Sequence, residues 1–515
     1  MHPKAAVEPT ADPAAAQSSA GAAARSSAAK PSHAAHAATI YVDGRWHAAG
    51  SGASFPAMNP ATGATIGHVS AGGRADASAA IDAAHAAAPA WGRTSPFERA
   101  AALERVAAAI ERNKDGLAEA LTRDQGKPLH AESYGEVEEL ILYFKMAAAE
   151  ATRIEGLMPP SIDANKRILI QRVPKGVVGV ITPWNWPYTM PAELIAPALA
   201  AGNAVVWNPA RLTSHCSAEL ARAIEQAELP RGVFNLVTGP GDEVGDELAG
   251  DPRVPAIGFV GSTRTGLDIA RRAAGKELLM ELGGNGPLVI LKDADIDKAV
   301  EATITACFLN AGQSCTAGER VLVDRSIHEA YVERLVEAVH EQVRLGDPMA
   351  GETTMGPLNN ERTAAKTEHH VKEAIERGAT LHAGGRRAPE HGSDLFFQPT
   401  ILDRVTESME IAREETFGPV VPITAIDGPE EALHLVETSP YGLLTAVFTK
   451  DLAMGLKFAE SARAGWVNIN EGTNYWESHL PFGGRAGSQS GLGRVGGRFS
   501  IERLTELKTI VVNLG

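Results

Sequence analysis

From Gly176 onward the chain alternates short apolar runs with longer stretches of helical periodicity, and this rhythm limits the fold more than any other feature. Residues 176–182, 204–208, 232–237, 256–260 and 278–281 read as buried strands, and 191–201, 214–228, 242–249 and 264–275 as helices between them. Strands joined through helices of that length imply right-handed crossovers and a mostly parallel, doubly wound α/β sheet. Such sheets take ligands at the carboxyl ends of their strands. No Gly-x-Gly-x-x-Gly fingerprint follows an early strand, so a standard Rossmann site is not supported.

The chain upstream reads as mixed. Residues 40–46 form a hairpin strand with its turn at Asp43-Gly44. An Ala-rich helix covers 74–92, and a second begins at Ser95-Pro96-Phe97-Glu98, a capping box with proline at the first helical position. Leu103, Val106, Ile110, Leu117 and Leu121 give that helix one continuous apolar stripe, ended by Gly126-Lys127-Pro128. A third helix is expected over 131–153, then a strand over 167–173. Residues 1–37 are Ala, Ser and Pro with few large apolar groups, and are expected to be a disordered tail without a secretory core.

With 515 residues, 44% of them hydrophobic, the chain divides into two or three domains. A net charge of −15 without a basic stripe speaks against nucleic acid or anionic membrane as partner. Three cysteines, Cys216, Cys307 and Cys315, are too few and odd in number for a disulfide framework, and point to a reducing, cytoplasmic setting. No apolar run is long enough to span a bilayer.

Chemistry-bearing residues fall at the ends of the elements. A helical run over 296–309 meets Asn310 and Gly312, so Cys315 sits on a turn beyond a helix, where a lowered thiol pKa would make it a nucleophile; a lone cysteine is also often an inert filler. Thr182-Pro183-Trp184-Asn185-Trp186-Pro187 follows a strand directly, and Asn185 offers an amide donor for an oxyanion or for loop backbone. Gly261-Ser262-Thr263-Arg264-Thr265-Gly266 opens a helix whose amides could hold phosphate. Glu281-Leu282-Gly283-Gly284 places a carboxylate before glycines that allow close backbone approach, although Glu281 could equally cap a helix.

Pro183-Trp-Asn185, Gly261-Ser-Thr263 with Gly266, Glu281-Leu-Gly-Gly284 and Gly312-Gln-Ser-Cys315, in this order, closely resemble the aldehyde dehydrogenase superfamily. Glu414-Glu415-Thr-Phe417-Gly-Pro419 and Pro481-Phe482-Gly483-Gly484 extend the resemblance from about residue 40 to the C-terminus. It implies oxidation of an aldehyde to its acid with NAD(P)+. Cys315 would attack the carbonyl, Asn185 and the Cys315 backbone N–H would hold the oxyanion, and Glu281 would activate water to hydrolyse the thioester. Thr182, Pro183, Trp184, Asn208, Arg211, Gly241, Phe259, Gly261, Ser262, Leu282, Gly283, Glu415 and Phe417 would line the cofactor cleft. Trp186, Met190, Leu309 and Phe482, with Tyr188, Tyr475 and Trp476, would line an entry tunnel suited to apolar or aromatic aldehydes; Glu193 and Glu471 nearby would disfavour anionic ones. No metal is implied.

The resemblance also implies a doubly wound cofactor domain (38–153 and 173–283), an α/β catalytic domain (284–482) and a β arm for oligomerisation (154–172 and 496–515), hence a homodimer or homotetramer. Departures from the family pattern carry information. Asn208-Pro-Ala-Arg211 stands where Lys-Pro-x-Glu is usual, which points to NADP+ or dual use because Arg211 could meet a 2′-phosphate. Leu194 and Val495 replace a frequent Lys and Glu, removing a possible proton route from Glu281.

Overall fold

The computed structural model describes residues 38–515, so the expected N-terminal tail lies outside the described residues. An eight-stranded sheet runs in the order Gly491–Leu492, Glu277–Glu281, Ala256–Val260, Val177–Thr182, Ala204–Pro209, Phe234–Leu236, Ile40–Val42 and Arg45–His47. Its five central strands are parallel, as the alternation requires. Gly491–Leu492 at one edge, and Ile40–Val42 and Arg45–His47 at the other end, join antiparallel. Asp43 (φ 49°) and Gly44 (φ 71°) make the tight turn of the Ile40–His47 hairpin.

Helices cover both faces. Val178, Val180, Val205 and Ala256 point into one core with helices Pro96–Arg112, Tyr134–Ala151 and Thr189–Ala200. Val177, Ile181, Val206 and Ile257 point into the other, with Arg74–Arg93 and Thr263–Arg272. Each of these valine and isoleucine side chains, buried, contributes about 1.5–3 kcal/mol. The expected single helix over 95–125 is two, Pro96–Arg112 and Lys114–Gln125. They meet at Asn113, whose Nδ2 donates to Ala109 O at 2.7 Å and to Gln226 Oε1 at 3.0 Å, competing with the helix for its own carbonyl. The Ser95–Glu98 capping box forms in both directions.

A second sheet of seven strands runs Thr380–Ala383, Thr400–Asp403, Val420–Ile426, Arg320–Asp324, Pro287–Ile290, Leu444–Phe448 and Trp466–Ile469, all parallel but the first. The chain then returns, through Gly491–Leu492, to the edge of the first sheet beside Glu281. Strands Lys166–Pro174 and Thr505–Asn513 pair antiparallel over nine positions as a separate ribbon. Leu507 and Val511 on it, and Leu514 just beyond it, are exposed at 57–62%. Two strands alone are marginal in water.

Candidate active site

Helix Ile296–Phe308 is stopped by three consecutive left-handed residues, Asn310 (φ 52°), Ala311 (φ 53°) and Gly312 (φ 74°). The Glu132 carboxylate accepts from the Asn310 N–H at 3.0 Å and so holds this strained reversal. A Cβ on Gly312 would stand 2.1 Å from Gly418 O, so the turn also presses against the segment that follows Phe417. Cys315 follows, half-buried. Cys307 is buried on the helix with its thiol donating to Gly318 O at 3.1 Å.

Asn185 and Glu281 converge on this turn from the first sheet. Asn185 follows strand Val177–Thr182, and its Nδ2 donates to Gln313 O at 3.0 Å; Asn310 Nδ2 donates to Asn185 O at 2.8 Å. One hydrogen of the Asn185 amide is therefore left for another acceptor. Glu281 ends strand Glu277–Glu281, is buried, and its Oε1 has no hydrogen-bond partner among the described residues. A Cβ on Gly284 would lie 2.1 Å from Cys315 O, which shows how closely the loop after Glu281 approaches the Cys315 backbone.

Burial sets the electrostatics. The Glu281 carboxyl is pushed up to about 8 by burial, opposed by its contact with the Cys315 thiol and reinforced by Glu415. Burial, then the neighbouring Glu281 carboxyl, raise the Cys315 thiol well above the usual range. This overturns the expectation that the turn lowers the thiol pKa: the groups facing the sulfur are acids, and acids favour the protonated form.

On the cofactor side, Trp184 and Phe417 meet edge to face at 5.6 Å between ring centres. Glu415 Oε1 accepts from the Gly284 N–H at 2.8 Å, and a Cβ on Gly283 would fall 3.2 Å from the same carboxylate. Ser262 caps helix Thr263–Arg272 by accepting from Thr265 N at 3.3 Å, and Leu282 packs over Gly266. The Phe259 ring lies against Gly261, and Gly241 opens the next turn with nothing over its Cα. Thr182 Oγ1 accepts from Trp207 Nε1 at 2.8 Å, beside Pro183. Asn208 turns inward, donating to Val237 O at 3.0 Å. Arg211 is exposed and stacks on Phe55 at 4.6 Å. Open glycine backbone, a helix N-terminus and a carboxylate beside an aromatic pair suit a dinucleotide with a ribose and a flat ring.

The expected tunnel residues divide. Phe482 meets Trp476 at 5.2 Å and Trp466 at 6.1 Å between centres, and Trp476 meets Tyr143 at 6.4 Å. Leu309, Cys315 and Trp476 pack against the core that holds Trp186, Met190 and Phe482. Tyr188 is fully buried with its hydroxyl donating to Leu117 O at 3.0 Å, so it is core rather than tunnel. Tyr475 turns to Glu477 at 2.7 Å, and Glu471 is exposed, accepting from Gly472 N. Glu193 is buried, its Oε1 unpartnered among the described residues, and Glu281 is among the groups that push its pKa up after burial. Leu194 and Val495 lie in the same apolar core, Leu194 over Gly258.

Sequence reasoning treated Gly126-Lys127-Pro128 as a helix stop alone. Lys127 is a buried anchor: Nζ pairs with Glu136 Oε2 at 2.5 Å, donates to Asn185 O at 3.2 Å and sits 3.6 Å over the Trp186 ring. Glu136 Oε1 accepts from Tyr188 N at 2.9 Å, so one ion pair fixes both ends of the Asn185 loop. A lysine next to a helix-ending glycine gives no local sign of this, because its partner comes from the next helix.

The fold and this convergence define an α/β protein with a cysteine, a carboxyl and an amide beside glycine-rich strand ends and a helix N-terminus. Comparison with known proteins assigns its family: residues 46–510 match the aldehyde dehydrogenase family, and the chain belongs to it. It is similar to 3-sulfolactaldehyde dehydrogenase of Pseudomonas putida, 39% identical over 91% of this chain and 96% of that protein. Succinate-semialdehyde dehydrogenase [NADP(+)] of Escherichia coli K12 is 38% identical over 92% and 97%. The structure of betaine aldehyde dehydrogenase from Staphylococcus aureus in complex with NAD+ superposes with a TM-score of 0.89, at 34% identity over 92% of this chain and 95% of that one. Among the described residues no helix is long and apolar enough to cross a membrane, and no group of three or more His, Cys, Asp or Glu is placed to hold a metal ion.

Proposed function

We propose that this chain oxidises an apolar or aromatic aldehyde to the carboxylic acid with NAD(P)+, using Cys315 as nucleophile. The convergence of Cys315, Asn185 and Glu281 carries this reading. Cys315 releases its thiol proton to solvent and adds as thiolate to the carbonyl; the free Asn185 amide hydrogen and the Cys315 N–H, which has no acceptor among the described residues, receive the oxyanion. A bound nicotinamide supplies the hydride acceptor. Glu281 then takes a proton from the water that cleaves the thioester; at about 8 its carboxyl is matched to that task. Glu415, Phe417 and Trp184 orient the nicotinamide end.

For the cofactor we favour NADP+ or dual use. Arg211 has its guanidinium exposed and in no ion pair among the described residues, and Asn208 offers no carboxylate to repel a 2′-phosphate. The relatives use either form by their names, NADP(+) in one and NAD+ in the other. For the substrate, the Tyr143, Trp476 and Phe482 rings and the buried Glu193 support an apolar or aromatic aldehyde over an anionic one; Lys127, which sits over Trp186, is already paired with Glu136. We assign 38–153 and 173–283 to cofactor binding and 284–482 to catalysis. Residues 154–172 and 496–515 would serve assembly as a homodimer or homotetramer, since the outer edge of Thr505–Asn513 has no partner strand among the described residues.

Absorbance of reduced nicotinamide over a panel of apolar, aromatic and anionic aldehydes, with NAD+ and NADP+ in parallel, tests the reading. Reduction with an aldehyde is expected, and Glu281→Gln should keep a burst of one reduced cofactor per site while losing turnover. No reduction with any pair would refute it.

A further inference from the structure

Glu319 lies four residues beyond Cys315, between its turn and strand Arg320–Asp324, and is buried at 5% exposure. Its carboxylate reaches across to the loop of Glu415 and Phe417: Oε1 accepts from Phe417 N at 2.7 Å, and Oε2 accepts from Thr416 N. Phe417 is left-handed (φ 63°), a conformation a bulky aromatic residue avoids. Two hydrogen bonds from consecutive backbone N–H groups to one carboxyl group compensate for that strain. The loop is pinned at three further points. Glu415 Oε1 accepts from Gly284 N, Thr416 Oγ1 meets His370 Nδ1 at 3.1 Å, and Gly418 O stacks on Gly312.

We propose that Glu319 is a positioning residue for the cofactor, tying Glu415 and Phe417 to the Cys315 turn so that the nicotinamide-facing side chains and the sulfur keep one fixed separation. This rests on the function proposed above. A carboxylate is the side chain this job requires, because its two oxygens accept from two neighbouring N–H groups at once. A glutamine would meet one of those N–H groups with its own amide hydrogens. Burial, then Glu415, push the Glu319 carboxyl up to about 8, against the pull of the Phe417 and Thr416 N–H groups and of Lys366.

The test uses the full chain with Glu319→Gln, and Glu319→Asp, which keeps the charge but shortens the reach. Five quantities are read: cofactor affinity by quenching of tryptophan fluorescence with NAD+ and NADP+, the rate of the hydride burst, aldehyde KM, the rate of Cys315 alkylation, and deuterium exchange of residues 414–418 and of the rest of the chain. Glu319→Gln should weaken cofactor binding and slow the burst by ~10–100-fold, with faster exchange confined to 414–418. Cys315 alkylation and aldehyde KM should stay within about twofold of wild type. Glu319→Asp should fall between, and stands in if the Gln variant does not fold. Unchanged exchange and cofactor affinity would overturn the proposal, as would a uniform change in alkylation, aldehyde KM and exchange across the whole chain, which marks a merely structural acid. If the wild type oxidises no aldehyde, the proposed function fails, while the exchange and cofactor titrations still decide the role of Glu319.

Discussion

The Cα of Gly284 lies so close to the backbone of Cys315 that a single added carbon would stand 2.1 Å from the Cys315 carbonyl oxygen. The obstacle is backbone on both sides, so neither segment can turn a side chain away. Gly284→Ala should therefore move the Glu281 loop or the Cys315 turn, and a shift of about 1 Å at reacting groups costs on the order of 100-fold. Steady-state kcat/KM should fall by that factor with the protein still folded, since overpacking costs about 1–3 kcal/mol. Wild-type kcat/KM in Gly284→Ala would show that the two segments have slack.

The Lys127–Glu136 pair is fully buried and braces the Asn185 loop. Lys127→Met leaves Glu136 as an unpaired buried acid and should lose about 3–5 kcal/mol in urea unfolding at pH 7. Lys127→Met combined with Glu136→Leu should lose less than Lys127→Met alone, because the orphaned charge is gone. A double variant worse than the single one would mean that the hydrogen bonds of Glu136 to Tyr188 and Thr189 dominate.

What could be seen in the sequence was set by range. The parallel sheet between Val177 and Glu281 was legible because buried strands and their crossover helices are local patterns. The Ser95 cap and the turn at Asp43-Gly44 were legible for the same reason. Asn113, Lys127 and Glu319 were not, because each acts through a partner that only the fold brings near: Gln226, Glu136 and the Phe417 loop. The exclusion of Tyr188 from the tunnel has the same origin, since the acceptor of its hydroxyl, Leu117 O, is a neighbour no spacing reveals. The thiol expectation failed in sign because the acids around Cys315 come from distant segments.

The Glu281 carboxyl rises from an ordinary value of 4.5 to about 8 on folding. The native state then binds the proton more tightly than the unfolded chain, so this group stabilises fully below about 4.5 and loses that contribution as pH climbs to about 8. Glu281→Gln removes the titration. The stability of Glu281→Gln relative to wild type, from urea midpoints between pH 5 and 9, should therefore increase with pH and level off above about 8. A difference that does not vary with pH would mean that Glu281 is not held protonated in the native protein. In the same window, multiple-turnover activity of the wild type should rise as pH passes about 8, because the ionised carboxylate is the base.

The three thiols should separate by reactivity. Cys216 and Cys307 are buried, and burial followed by a neighbouring acid, Asp124 for one and Glu319 for the other, holds both thiols above their usual range. Cys315 is half-buried, and its thiol is also raised, by burial and then by Glu281. Iodoacetamide should therefore attach one equivalent, at Cys315, slowly at pH 7 and faster as pH rises, since the thiolate is the reacting form. Peptide mapping after limited labelling identifies the site. Cys315→Ala should abolish both the label and the activity, while Cys307→Ala should leave catalysis intact and lose only the packing of one small buried group, on the order of 1 kcal/mol. Labelling at Cys307 ahead of Cys315 would show that the turn at Asn310–Gly312 opens in solution and would remove the geometric basis for Cys315 as nucleophile.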